Sequence, residues 1–78
     1  MRRFMDRAGV AWDVVLGRES WGASVALFVP PGTSGLPSRQ APLKAVAQDE
    51  AVRELDGMND AALQALLDRS TTRQEGIQ

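Results

Sequence analysis

The chain has no cysteine, no histidine and no tyrosine. Without cysteine no disulfide can brace the fold, and without Cys or His a structural zinc site lacks its usual ligands. Neither a metal nor a cofactor is expected. General acid–base chemistry would fall to carboxylates or to Lys44, the single lysine, and a serine nucleophile would have no imidazole to activate it. Long apolar runs are also missing. The longest lies near Val25–Val29, far short of the ~20 residues that span a bilayer. At the start, Asp6 and Arg7 interrupt any signal-like hydrophobic segment, so the chain is expected to begin at Met1 and stay inside the cell.

What is present is a short chain of 78 residues with a formal net charge of −1. A chain this size buries only ~60% of the surface that its unfolded form exposes, so its core is thin, and packing against another chain is one way to gain margin. The charge is unevenly spread: residues 1–44 hold six basic and three acidic side chains, and residues 45–78 hold three basic and seven acidic ones. The plain reading is a basic sheet surface and an acidic helical surface, both solvated.

Hydrophobic periodicity places the elements. Arg2 to Met5 reads as a short strand with Phe4 inward, followed by a turn at Asp6-Arg7-Ala8-Gly9. In Val10–Arg18, Val10, Trp12, Val14 and Leu16 share one face, while Ala11, Asp13, Val15 and Gly17 share the other. The stretch Gly17-Arg18-Glu19-Ser20-Trp21-Gly22 is a polar turn. Ala23 to Pro30 is apolar on both faces, as a central strand covered on both sides would be. Prolines and glycines make 30–40 a long loop, and Ala41–Ala47 is expected to return as a fourth strand. Asp49 is expected to cap a helix that ends near Gly57, and Asn59 or Asp60 a second helix with Ala62, Leu63, Leu66 and Leu67 as its apolar stripe. The expectation is one α+β domain over 1–70, a three- to four-stranded antiparallel β-meander followed by two short α-helices, with a polar, fraying tail over 71–78.

The motifs point away from catalysis. Gly17 to Gly22 is superficially like a nucleophile elbow, but two residues separate Gly17 from Ser20 and a strand, not a helix, follows. Pro31 to Gly35 is glycine-rich, yet it lacks the phosphate-loop lysine and leads into no helix. A nucleic-acid-binding face would need Arg2, Arg3, Arg7, Arg18, Trp21 and Arg39 on one side of the sheet. The protein–protein reading fits best, because Trp21 and Arg18 are residue types that anchor interfaces. Trp21 serves equally well as a lid on its own core, and Trp12 belongs to the core.

The segment Trp12 to Gly22, Trp-Asp-Val-Val-Leu-Gly-Arg-Glu-Ser-Trp-Gly, resembles a stretch of small bacterial proteins of no known activity. The resemblance implies a bacterial accessory protein and no catalytic or binding residues. The functional expectation is therefore a non-enzymatic accessory or stabilising subunit of a multiprotein assembly. That assembly is soluble or, like photosynthetic and respiratory complexes, embedded in a membrane, with this chain on the cytoplasmic face at the inner membrane. The expected contact residues are Arg2, Arg3, Arg7, Arg18, Glu19, Trp21 and Phe28. The expected partners are proteins, with homo-oligomers and peripheral lipid contact also open. The alternative is a small nucleic-acid-binding regulator that uses the basic sheet face.

Overall fold

A computed structural model of the chain describes residues 2–19, 22–45 and 47–73. Five strands and two helices follow in the order β1 (Arg2–Met5), β2 (Ala11–Arg18), β3 (Ser24–Val29), β4 (Arg39–Pro42), α1 (Gln48–Asp56), α2 (Asp60–Asp68) and β5 (Thr71–Thr72). The strands form one antiparallel sheet in sequence order, β1-β2-β3-β4-β5. This is the expected α+β meander with one strand more than the three or four expected. Thr71 and Thr72 pair with Gln40 and Arg39, so the first two residues assigned to the tail belong to the sheet. A pair of threonines after a helix carries no periodicity to read. Arg39 helps hold them in place: its Nε donates to Ser70 Oγ at 2.7 Å and its Nη2 to the Ser70 carbonyl at 2.7 Å.

Two tight hairpins build the first three strands, and they close alike. The Gly9 N–H donates to the Asp6 carbonyl at 3.0 Å and the Asp6 N–H to the Val10 carbonyl at 2.9 Å. Likewise, the Gly22 N–H donates to the Glu19 carbonyl at 2.9 Å and the Glu19 N–H to the Ala23 carbonyl at 2.8 Å. Gly9 has φ 88° and Gly22 φ 102°, a left-handed backbone that only glycine adopts without strain. An acidic residue followed three positions later by glycine thus sets both registers.

Both helices lie on one side of the sheet. By register, Phe4, Trp12, Val14, Ala26, Phe28 and Ala41 share that side, and they pack with Leu55 of α1 and Leu63, Leu66 and Leu67 of α2. Phe28 lies at the centre of this core. The Phe4 and Trp12 rings meet it edge-on, with centroids 6.5 and 6.3 Å away. Trp12 is buried, as its place on the apolar face predicts.

Two boundaries differ from expectation. The fourth strand runs over Arg39–Pro42 rather than Ala41–Ala47. Arg39 and Gln40 pair with Phe28 and Leu27, and Pro42 has no N–H to continue a ladder. The cap of α1 is Ala47, with no side-chain hydrogen bond, and Asp49 sits inside the first turn. For α2 the cap is Asn59, whose side chain accepts the Ala62 N–H at 2.8 Å.

Candidate functional site

The residues nominated from sequence are dispersed. Phe28 is fully buried under the helices and cannot reach a partner, which corrects its assignment as a contact residue. Its alternate neighbours on the apolar strand, Leu27 and Val29, face the opposite side. Ser20 and Trp21 lie outside the described residues.

The arginines divide between the two faces. Arg2, Arg18 and Arg39 share the helix side by register, and Arg3 lies on the other. Most of them tie strands to helices. Arg2 Nη1 lies 3.4 Å from the carbonyls of Leu55 and Asp56 at the C-terminal end of α1, where a cation suits the helix dipole. Arg7 grips Asp68 of α2 through both terminal nitrogens, at 3.3 and 3.1 Å, and its N–H donates to Gln64 at 2.8 Å. The Asp68 carboxyl is held below the usual range by the Gln64 hydrogen bond and then by Arg7. Arg18 donates to the neutral Gln48 Oε1 at 3.1 Å. The expected basic stripe therefore does not assemble on one surface.

What does assemble is the face without helices. Odd-numbered residues of β1 and β2 point there, with Val25, Leu27 and Val29 of β3 and Gln40 and Pro42 of β4. Met5 is 62% exposed and Val29 40%, and by register Val15 and Leu27, both half-buried, lie next to Val29. Leu27 leans over Gly17: a Cβ at Gly17 would stand 2.6 Å from Leu27 Cδ1. Gly17 thus lets Leu27 lie flat.

Polar groups of both signs are interspersed with these apolar side chains. Arg3 pairs with Asp13 at 3.3 Å, between Met5 and the Val15 and Leu27 pair. On the other side, Gln40 donates to Glu19 at 3.1 Å and Arg73 donates to Gln40 at 2.7 Å. The reading of β3 as apolar on both faces pointed to this surface, but no sequence signal singled out Met5 or Arg73.

An open groove of about 650 Å³ runs between the helices, lined by Lys44, Glu50, Glu54, Met58, Leu66 and Arg69 among others. Its most engaged acid, Glu54, accepts the N–H groups of Lys44 and Ala45 at 3.2 and 2.9 Å and so clips a loop to α1. Among the described residues no group of three or more acidic side chains is placed to hold a metal ion. No helix of the described residues is long and apolar enough to cross a membrane. Comparison with protein-family models, with curated proteins and with solved structures finds no match.

Proposed function

We propose that this chain is a non-enzymatic subunit of a larger protein assembly and that it docks through the helix-free face of its sheet. The observation that carries the reading is the one-sided placement of the helices. One face of the sheet is covered, while the other keeps Met5 and Val29 exposed, with half-buried Val15 and Leu27 next to Val29. Large exposed apolar side chains clustered on a regular surface mark interaction sites.

The surroundings of the patch favour a protein as occupant. Exposed apolar side chains interspersed with polar groups of both signs suit a protein partner. A surface for anionic lipid or for nucleic acid would be basic throughout. Here Arg3 faces Asp13, and Arg73 lies in a chain of contacts with Gln40 and Glu19. The arginines nearest the helices are engaged in holding the fold.

The test is a double substitution, Met5→Lys with Val29→Lys, in the tagged protein expressed in its native cell. Both positions are exposed, so each change costs no more than ~0.5 kcal/mol of stability. The variant is expected to keep the circular dichroism and melting temperature of the parent and to lose its co-purifying proteins. A folded variant that retains the same proteins at the same yield would contradict the reading.

A further inference from the structure

We propose that the edge of β2 beyond β1, unpaired among the described residues, is an antiparallel strand-addition site for an extended segment of a partner protein, with an apolar residue opposite Leu16 and an acidic residue opposite Arg18. This rests on the protein-binding reading and adds a second, separate contact to it.

The site follows from unequal strand lengths. β1 pairs with β2 only from Met5↔Ala11 to Arg2↔Val14. β2 continues through Val15, Leu16, Gly17 and Arg18, and over these residues its only described neighbour is β3. The hairpin fixes which backbone groups are free. Because the Glu19 N–H donates to Ala23, hydrogen-bonded pairs alternate back along the strands at Gly17↔Val25 and Val15↔Leu27. The N–H and C=O groups of Leu16 and Arg18 therefore point outward, away from β3. Four strand residues span ~13 Å, enough for a short extended peptide.

Two hollows flank this edge on the helix side. One, of about 230 Å³, is lined by Arg2, Val14, Leu16 and, from α1, Val52 and Leu55. Val52 is 40% exposed there. The other, of about 250 Å³, is lined by Leu16, Arg18, Ser24 and Gln48. Residues of an added strand that sit opposite Leu16 and Arg18 lie on this same side of the sheet and above these hollows. Main-chain hydrogen bonds would supply affinity, and the two hollows would supply side-chain selectivity.

Charge sets the second preference. Among the described residues Arg18 has no carboxylate partner, its one bond being to the neutral amide of Gln48. An acidic residue opposite it completes a cross-strand pair. A second copy meets this demand poorly. Antiparallel pairing about Gly17 would set the Arg18 of one copy against the Leu16 of the other and bring no carboxylate to either cation. The outer edge of β1 is the rival edge, and none of the hollows described above opens along it.

The test uses blocked five-residue peptides, Thr-Glu-Thr-Val-Thr and its control Thr-Lys-Thr-Val-Thr, which in antiparallel pairing set the charged residue opposite Arg18 and Val opposite Leu16, titrated into the full chain labelled with nitrogen-15. The expected result is saturable shifts and slowed hydrogen exchange at the Leu16 and Arg18 amides, with the Glu peptide binding roughly three- to ten-fold tighter. Arg18→Glu should reverse the preference, and Val52→Glu should weaken both peptides while the amide spectrum stays that of a folded chain. Equal affinities for the two peptides, or no shift at Leu16 and Arg18 up to millimolar peptide, would overturn the site. So would concentration-dependent shifts at these amides without peptide, which would mean self-pairing. Shifts confined to Met5, Val15, Leu27 and Val29 would also overturn the edge site while leaving the helix-free face as the docking surface.

Discussion

One carboxylate oxygen of Asp6 accepts the N–H groups of Ala8 and Val10, each at 2.9 Å, and the other accepts the indole N–H of Trp12 at 2.9 Å. The first hairpin and the aromatic core are thereby joined through one side chain. Partial burial pushes the Asp6 carboxyl up, but the bonds from Trp12, Val10, Ala8 and Gly9 together outweigh it and leave the group below its ordinary value. The unfolded chain then binds the Asp6 proton more readily than the folded one. Stability from this group is complete above its unfolded value and is lost as the pH falls through the lower folded value. Asp68, also held low, adds in the same direction. Asp6→Ala leaves the buried indole N–H without an acceptor and should cost ~1–3 kcal/mol in urea unfolding at neutral pH. Asp6→Asn sets an amide donor against the indole donor or gives up the turn bonds, so it should also destabilise, and its deficit should shrink toward pH 2. A deficit that stays constant from pH 7 to 2 would mean that the charge on Asp6 contributes nothing. The sequence marks Asp6 as a turn residue, because Asp and Gly three apart are a local pattern. Its bond to Trp12 was not legible, because both roles fall on one side chain only once the strands pair.

Among the elements, local patterns were the readable ones. The alternation in β2 and β3, the two glycine-closed turns and the apolar stripe of α2 each depend on neighbours within a few residues. The fifth strand depends on Arg39 and Ser70, 31 positions apart, and no local spacing announces it. The same holds for the arginines. They read as a free basic surface, yet Arg2 reaches helix carbonyls 53 and 54 positions away, and Arg7 reaches Asp68. The two helix starts make a natural comparison. Asn59 caps α2 with its side chain, and Ala47 leaves the N-terminus of α1 without such a bond. Ala47 is exposed with an extended backbone at φ −77°, ψ 145°, which suits a serine or aspartate cap. Ala47→Ser should therefore stabilise the domain by ~0.5–1 kcal/mol and raise its melting temperature by several degrees. An unchanged or lower melting temperature would show that the loop before α1 cannot present the hydroxyl to the helix.

At the scale of the whole molecule, one sheet face is covered by two nine-residue helices and the other carries no helix among the described residues. A thin core follows from the size of the chain, and an assembly that covers the second face would add burial that the chain cannot supply alone. The two-sided apolar character of β3 was the sequence feature that pointed to this face, although Phe28, one of the contact residues indicated, belongs to the helix side. Its neighbours Leu27 and Val29 carry the exposed role instead, since a period of two puts adjacent residues on opposite faces. The most direct measurement is methionine oxidation by dilute peroxide, read by mass spectrometry, in the purified chain and in gently lysed native cells. Met5 lies on the helix-free face at 62% exposure, and Met58 lies half-buried on the helix side as an internal reference. Docking through the helix-free face predicts that Met5 oxidises several-fold more slowly in the lysate than in the purified chain, while Met58 reacts alike in both. Equal Met5 rates in the two samples would contradict it.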